Sequence, residues 1–253
     1  MSISNNIGLD HIQRISKEEL YLKKSLKKIV NNKKINNYVD NFTVYTNVNL
    51  IKKFLFRNYI YKKTLKIPGS IFECGMGMGS GFFAWINLKN IYEPYNHTKK
   101  IIGFDTFAGF PNIHRLDKSN LKNNNLKKNG VNYNNYNFLK QMLLQKEATL
   151  PLSHIKSNLL IKGNISFTMR DYLKKNKNTL ISVLYLDLDL YKPTLDCLKH
   201  AYDCIPKGGV IVFDELNHDF WPGETLALKK FFNIKSINLI KNSLSGTAAY
   251  LVV

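Results

Sequence analysis

The chain has 253 residues, 44% of them hydrophobic and 12% aromatic, which excludes a disordered protein and suits one α/β domain with a large core. Its formal net charge is +19, yet nearly all the basic residues are lysines, and they are scattered along the whole sequence. Specific recognition of phosphates and bases favours arginine, so we expect no nucleic-acid partner. A basic surface would instead attract an anionic small molecule.

The cysteines and the apolar runs indicate the compartment. Cys74, Cys197 and Cys204 are odd in number, lie in apolar contexts and have neither metal-ligand nor disulfide spacing, as expected for buried thiols in a reducing environment. No basic and then apolar leader opens the sequence, and no apolar run approaches the length of a membrane span. We therefore expect a soluble, cytoplasmic protein.

Residues 1–66 are predicted to form a helical extension packed on the core. Residues 1–40 are polar and rich in lysine, with a loosely helical spacing of their few apolar positions. Residues 42–66 carry regularly spaced apolar positions among lysines, which predicts one amphipathic helix or two that pack on the sheet. Pro68 and Gly69 then break the helical pattern.

A glycine-rich turn follows the first predicted strand, Ser70–Cys74. From Glu73 to Gly81 the sequence reads ECGMGMGSG, and it leads into the helical FFAWINL. Glycines at such a turn let the backbone approach a ligand and leave amide donors at the start of a helix. The spacing fits E-x-G-x-G-x-G better than the dinucleotide pattern G-x-G-x-x-G, so the turn predicts a nucleotide-containing cofactor. A flexible turn without a ligand is the alternative.

The next predicted elements flank the same edge of the sheet. A second strand, Lys100–Phe104, is closed by Asp105, which is placed to accept hydrogen bonds from ribose hydroxyls. Residues 111–135 are dense in Asn and Lys and interrupt the α/β rhythm, which predicts a mobile insertion beside the ligand edge, with the role of a lid. A third strand, Leu159–Lys162, is followed by Asn164 and a helix.

Four carboxylates follow two strongly hydrophobic strands. The first pair comes after the apolar run Leu180–Leu186 and the second after Val210–Phe213; the four residues are Asp187, Asp189, Asp214 and Glu215. A helix starting near Pro193 joins the strands, and a right-handed crossover makes them parallel. Both pairs should therefore reach the carboxyl edge, where open α/β sheets bind ligands. The spacing of two residues within the first pair predicts side chains on one side of the sheet.

Like charges crowded at one edge repel each other. A hard divalent cation with oxygen ligands, Mg2+ above all, relieves that repulsion. The alternative is that each carboxylate caps a helix or is simply solvated, and the presence of two acidic pairs on neighbouring strand ends favours the metal. His218 follows the second pair and either contacts substrate or metal or is a solvated loop residue.

Taken together, these stretches resemble the macrocin-type sugar O-methyltransferases, which depend on S-adenosylmethionine and a metal. The matching stretches are IPGSIFECG, IIGFDTFAGFP, LDLDLYKPTLDCL and PKGGVIVFDE, in family order, within residues 65–253. The resemblance implies that residues 67–253 form an α/β, Rossmann-like class I methyltransferase domain with helices on both faces of the sheet. We expect seven mostly parallel strands in the order 3-2-1-4-5-7-6, with the last strand, Thr247–Val253, antiparallel to its neighbours.

The resemblance also implies roles for individual residues. Glu73 and the glycine-rich turn would hold the methionine part of S-adenosylmethionine and Asp105 its ribose; the expected cofactor-binding residues are Glu73, Gly75, Gly77, Gly79, Ser80, Asp105, Asn164 and Ser166. The implied Mg2+ ligands are Asp187, Asp214 and Glu215, and the implied general base is Asp189. In many members Asp stands at the position of Glu215, and Trp-Arg occupies the glycine-rich turn where this chain has Met76 to Met78.

The predicted function is methylation of a sugar hydroxyl with Mg2+ assistance, because such a hydroxyl must lose its proton as it attacks the sulfonium methyl group. A nucleotide-linked sugar, a polysaccharide sugar or a glycoside would each suit as acceptor. Two alternatives stay open: a metal-dependent glycosyltransferase that uses Asp187 and Asp189, and a methyltransferase-fold binding module without activity. The sequence leaves the oligomeric state open, a homo-oligomer included.

Overall fold

The computed structural model describes residues 42–119 and 125–253. The predicted helical extension over residues 1–41 and the centre of the insertion, residues 120–124, lie outside the described residues. The chain divides into two compact units, Met1–Lys53 and Phe54–Val253. This boundary falls within a helix, Val48–Lys63, and the predicted domain boundary at residue 66 stays a prediction.

The elements alternate between helix and strand from residue 70 onwards. The helices are α1 Phe42–Tyr45, α2 Val48–Lys63, α3 Ser80–Tyr92, α4 Tyr136–Ala148, α5 Ile165–Lys175, α6 Tyr191–Ala201 and α7 Gly223–Phe231. The strands are β1 Ser70–Cys74, β2 Ile101–Asp105, β3 Asn158–Lys162, β4 Ile181–Leu186, β5 Val210–Phe213, β6 Ile240–Lys241 and β7 Ala249–Val252. Short 3-10 turns occupy Arg115–Asp117, Tyr202–Cys204 and Ile234–Ser236.

The strands form one seven-stranded sheet in the order β3-β2-β1-β4-β5-β7-β6. β1 to β5 are parallel, and β7 runs antiparallel to both β5 and β6. β1 and β4 are buried along their whole length, as expected for central parallel strands covered on both faces. The predicted class I methyltransferase fold and its strand order are confirmed.

Alternation along the strands separates two cores. On one face, residues such as Ile71 and Val183 pack with α3, α4 and the part of α2 from Phe56 onwards. On the other face, residues such as Phe72 and Leu184 pack with α5, α6 and α7. Each such side chain is fully buried and contributes roughly 1.5–3 kcal/mol to folding, so the sheet is a rigid support for its carboxyl edge.

Local signals explain where the helices begin. α6 begins at Tyr191, so Pro193 lies in its first turn, where the missing amide hydrogen has no helical partner to lose.

The cysteines are all free: Cys74 and Cys197 are buried as predicted, and Cys204 is half-buried. Within residues 42–119 and 125–253, no helix combines the length and apolarity needed to cross a membrane.

Candidate active site

The strands that precede the predicted site residues end level with one another. Cys74 in β1 pairs with Leu186 in β4, and Leu186 pairs with Phe213 in β5. The backbone amides of Asp187 and Asp214 continue this ladder, donating to the carbonyl oxygens of Cys74 (2.8 Å) and Leu186 (2.9 Å). The loops that follow the three strands therefore start side by side at one carboxyl edge.

The glycine turn, residues 75–79, lies directly against the loop after β4. Gly75 has φ 86°, and a Cβ atom at this position would lie 1.7 Å from the carbonyl oxygen of Asp187, so only glycine fits. Gly77 also has a positive φ, 49°, but the nearest atom to a Cβ there would be Tyr133 Cε2 at 3.5 Å. A side chain at Gly77 would therefore be disfavoured by the backbone conformation rather than by a collision.

Asp105 contacts the glycine turn through its side chain. Its Oδ2 atom accepts hydrogen bonds from the backbone amides of Met76 (2.7 Å) and Gly77 (3.3 Å). Its Oδ1 atom accepts one from the amide of Phe107 (2.7 Å). The structure thus brings together the turn and the acidic residue for which the sequence predicts cofactor contacts.

The remaining predicted cofactor residues lie at helix starts. Gly79 precedes α3 with φ 89°, and Ser80 is the exposed first residue of that helix. After β3, the Asn164 side chain caps α5 by accepting a hydrogen bond from the amide of Ser166 (3.1 Å). Gly163 donates to the carbonyl oxygen of Asp105, so this cap is joined to the end of β2. Their contacts with a cofactor stay predictions.

Glu73 is buried and already engaged by two other side chains. Its Oε1 atom accepts from Arg57 Nη2 (2.8 Å) and its Oε2 atom from Trp85 Nε1 (2.6 Å). Burial lowers the pKa of Arg57, but the neighbouring Glu73, Tyr185 and Asp214 outweigh burial and raise that pKa above its ordinary value. Arg57 is therefore a permanent cation near the sheet edge. The ion pair with Arg57 accounts for a buried acidic residue at position 73. Cofactor binding by Glu73 stays a prediction.

Tyr185 links the Arg57 guanidinium to Asp214. The Arg57 guanidinium lies over the Tyr185 ring, with its central carbon 4.3 Å from the ring centroid. The Tyr185 hydroxyl donates a hydrogen bond to Asp214 Oδ1. Glu73, Arg57 and Tyr185 are therefore buried side chains in contact one after another. The last of them orients Asp214, one of the predicted metal ligands.

Asp187 and Asp189 do not follow the expected strand alternation. β4 ends at Leu186, and Asp189 has φ 60°, a left-handed conformation that is uncommon for any residue except glycine. The prediction that the two side chains share one side of the sheet is wrong in its premise, since both residues lie in a loop. The amides of Leu188 and Asp189 donate to Glu224 Oε1, at 2.9 and 3.1 Å.

Glu224 is a residue that the sequence did not single out. It lies in the first turn of α7, its side chain is fully buried, and its Oε2 atom accepts a hydrogen bond from the amide of Glu215 (3.1 Å). Burial, followed by the charge of Asp189, raises the pKa of Glu224 well above its usual range. An acidic residue in a first helical turn normally signals only a favourable interaction with the helix dipole, which is why Glu224 was missed.

A cleft opens beside the second acidic pair. Its volume is about 550 Å³, within the range for small-molecule sites, and its lining comprises Lys118, Ser119, Asn217, His218, Asp219, Pro222, Thr225 and Leu226. His218 Nε2 lies 3.7 Å from Glu215 Oε2, so the cleft borders the predicted metal ligands. Burial lowers the pKa of His218, although the charge of Asp219 opposes this.

The described parts of the insertion pack over this edge. Ile113, Leu126 and Val131 contact a small apolar cluster formed by Phe110, Leu190 and Trp221. Leu190 follows β4 and Trp221 follows β5, so these parts of the insertion contact the loops after both strands. Farther along the insertion, Asn135 Nδ2 donates to the carbonyl oxygen of Gly77 (2.9 Å). The insertion therefore lies beside the ligand edge, as expected, and its role as a lid stays a prediction.

The acidic residues are close in the fold but do not form a ready-made metal cage. Across the described ranges, no group of three or more His, Cys, Asp or Glu side chains is arranged to hold a metal ion. Asp187, Asp214 and Glu215 offer carboxylate oxygens, the ligands that Mg2+ prefers, and they follow adjacent strands. The donor set fits Mg2+ by its chemistry, and convergence on one ion requires side-chain rotation.

Comparisons with known proteins agree with this geometry. A family model described as Macrocin-O-methyltransferase (TylF) matches residues 56–251, whereas no curated protein matches significantly. The crystal structure of CalS11, a calicheamicin methyltransferase, has a TM-score of 0.89 at 29% identity and covers 100% of this chain and 99% of its own. The apo structure of CalS11, described as a TDP-rhamnose 3'-O-methyltransferase, has a TM-score of 0.80 at 28% identity over 94% and 95% of the two chains. The O-methyltransferase NovP, at 16% identity and a TM-score of 0.58 over 80% and 79%, shares the fold.

The family match covers well over half of the sequence and includes the glycine turn, Asp105 and both acidic pairs. It confirms the resemblance drawn from the four sequence stretches. The chain therefore belongs to the Macrocin-O-methyltransferase (TylF) family and is an O-methyltransferase.

Proposed function

We propose that this O-methyltransferase transfers the methyl group of S-adenosylmethionine to a sugar hydroxyl with the help of Mg2+. The observation that carries the proposal is the meeting of the glycine turn with both acidic pairs at one carboxyl edge, beside a cleft of about 550 Å³. The acceptor class is supported by CalS11, a structural relative described as acting on TDP-rhamnose.

The cofactor side of the edge is assigned to the glycine turn and Asp105. The positive φ of Gly77 presents the backbone of the turn, which suits the methionine portion, and a carboxylate at the end of β2 suits ribose hydroxyls. Asp105 now accepts hydrogen bonds from the amides of Met76 and Gly77. If it bound a ribose instead, these two amides would become donors for the ligand. Ser80, Asn164 and Ser166 complete the proposed cofactor contacts.

The acceptor side is assigned to the four carboxylates and the cleft. Asp187, Asp214 and Glu215 would hold Mg2+, which, when bound, supplies Lewis-acid stabilisation of the developing alkoxide. Asp189 would accept the hydroxyl proton on its carboxylate oxygen, and bound S-adenosylmethionine would supply the methyl group and leave as S-adenosylhomocysteine. The chain then needs to keep acceptor and cofactor in line, so positioning supplies a large part of the acceleration.

Family membership favours this proposal over metal-dependent glycosyl transfer. A glycosyltransferase also uses Asp-x-Asp after a strand, but it has no need of the glycine turn that leads into α3. The cytoplasmic location and the oligomeric state stay predictions, since neither follows from the contacts within one chain.

Titration calorimetry with S-adenosylmethionine, with and without Mg2+, tests the proposal. We expect saturable binding of S-adenosylmethionine and a separate Mg2+-dependent heat, followed by methyl transfer to an acceptor from a panel of nucleotide-linked sugars, polysaccharides and glycosides. Binding of a sugar nucleotide without any binding of S-adenosylmethionine would favour the glycosyltransferase instead.

A further inference from the structure

The loop that carries Asp189 is held in an unusual backbone conformation. At φ 60° a residue with a side chain is strained by about 1 kcal/mol or more, and such a conformation persists only where surrounding contacts enforce it. Here the enforcing contacts are two backbone hydrogen bonds, from the amides of Leu188 and Asp189, that end on the same atom, Glu224 Oε1.

The other oxygen of Glu224 reaches a different strand end. Glu224 Oε2 accepts the amide of Glu215, which lies directly after Asp214. Because the Glu224 side chain is fully buried, water does not compete for these bonds. Amide hydrogen bonds from both acidic loops therefore end on one side chain, so Glu224 ties these loops together.

The start of α7 packs closely against the backbone of the loop after β4. A Cβ atom on Gly223 would lie 2.5 Å from both the carbonyl oxygen of Asp189 and the amide nitrogen of Tyr191. The amide of Tyr191 is in turn held by Asp117 Oδ1 at 2.6 Å. The backbone of Gly223, directly before Glu224, therefore packs closely against the loop that the Glu224 side chain binds.

We propose that Glu224 is a positioning residue that sets the separation between Asp189 and the Asp214–Glu215 pair, and so pre-organises the proposed base relative to the proposed metal ligands. This deepens the proposed function and rests on it. A carboxylate is needed at this position because both of its oxygens accept hydrogen bonds from amides. A glutamine of the same shape has one accepting oxygen and an NH2 group that would face an amide donor, so it satisfies only one of the two loops.

The test compares Glu224→Gln with the wild-type protein and with Asp196→Asn. Asp196 is a matched control because its carboxylate is also buried, but it pairs with Lys192 along α6. Four quantities are measured: Mg2+ affinity by calorimetry at saturating S-adenosylmethionine, affinity for S-adenosylmethionine itself, hydrogen–deuterium exchange of the peptides that contain Leu188, Asp189 and Glu215, and the melting temperature. None of these needs the acceptor.

We expect Glu224→Gln to weaken Mg2+ binding by roughly 10- to 100-fold, as is usual when an outer partner of metal ligands is lost. Exchange at one of the two acidic loops should become faster, whereas the affinity for S-adenosylmethionine should stay close to wild type. The melting temperature should fall moderately, because a buried amide loses its acceptor. Asp196→Asn should match wild type in all four quantities. Glu224→Asp keeps a carboxylate on a shorter side chain. It should recover little of the Mg2+ affinity, because the shorter side chain does not reach both loops.

Several results would overturn the proposal. The proposal is wrong if Glu224→Gln binds Mg2+ as tightly as wild type and its acidic loops exchange at wild-type rates. That result would leave the proposed function intact. Parallel losses of melting temperature, cofactor affinity and metal affinity would show a general structural role instead. If Glu224→Gln fails to fold, the wild-type protein decides, because rapid exchange of the Leu188 and Asp189 amides contradicts the bonds to Glu224. A wild-type protein that binds neither S-adenosylmethionine nor Mg2+ would remove the proposed function and this inference together.

Discussion

Asp189 differs from the other three carboxylates of the acidic edge in its backbone, which takes the left-handed conformation. A residue held in that conformation at a ligand edge is a marker of function rather than of packing. The proton-accepting role proposed for Asp189 needs a carboxylate close to the metal ligands without being one of them. The left-handed turn achieves this by directing the chain away from the line of β4.

Asp189→Asn should lower the rate of methyl transfer by roughly 10²- to 10⁴-fold, the usual contribution of proton-transfer catalysis. Asn tolerates the left-handed conformation as well as Asp does, so the loop should keep its shape. Affinities for S-adenosylmethionine and Mg2+ should therefore be unchanged. The decisive measurement is the Mg2+ affinity of this variant: a large loss would make Asp189 a ligand, and His218 would then be the next residue to examine as base.

Asp214→Ala should abolish Mg2+ dependence together with activity, because it removes a proposed ligand that Tyr185 holds in place. Tyr185→Phe keeps the ring against Arg57 and removes only the hydroxyl, so it should weaken Mg2+ affinity by about 10-fold or more. Activity titrated with Mg2+ measures both effects. Asp203→Ala, an exposed carboxylate after α6, serves as the control, and a similar loss in it would show that the effect is not specific to the edge.

At the scale of elements, the glycine turn shows two different reasons for glycine. Gly75 is required by the fold itself, since any side chain there would collide with the backbone of Asp187. At Gly77 a Cβ atom would make only a van der Waals contact with Tyr133, so the packing does not require glycine there, and its positive φ presents the backbone of the turn. The turn therefore joins β1 to α3 and, at the same time, presents its backbone.

Gly77→Val should weaken binding of S-adenosylmethionine strongly, because the new side chain would occupy the space above the turn. The positive φ also disfavours valine, so some stability is lost as well. Calorimetry for binding and thermal unfolding for stability separate the two effects, and Gly246→Val, at a positive φ in open space, is the matched control for backbone strain alone. A Gly77→Val protein that folds and binds the cofactor as tightly as wild type would refute the assignment.

At the scale of the whole molecule, burial on both faces of the sheet sets the stability of the protein. The two cores lie on opposite faces, and charged residues are buried with them, among them the ion pair of Arg57 and Glu73. A buried lysine is one such residue: Lys89 in α3 is almost fully buried and donates to Ser157 Oγ (2.8 Å). Burial lowers the pKa of Lys89 from 10.5 to about 8.

The stability of the protein should depend on pH through Lys89. Between pH 8 and 10.5 the unfolded chain keeps a proton that the folded chain releases, so the free energy of unfolding contributed by Lys89 rises with pH in that window. Urea unfolding of wild type and Lys89→Met measures this: the stability of wild type relative to the variant should increase from pH 8 upwards. Lys140→Met, an exposed lysine in α4, should track wild type, and a flat difference for Lys89→Met would contradict the shift.

The sequence by itself determined the main strands and the edge at which the site lies, and the resemblance to the family implied the strand order. Buried parallel strands such as β4 and β5 are continuous apolar runs, and the residues that follow them must meet once the crossover is right-handed. The glycine turn and the two acidic pairs are likewise local patterns. Each of these features is encoded within a few neighbouring residues.

Only the tertiary structure decided how the edge is held. The partners of the site residues are distant in sequence: Arg57 pairs with Glu73, Tyr185 binds Asp214, and Glu224 binds amides of two loops. No periodicity records such contacts, because the period of a strand or helix specifies which face a residue occupies and not which residue lies opposite it. The left-handed backbone of Asp189 has the same origin, since the contacts that enforce it come from α7, an element formed more than thirty residues later.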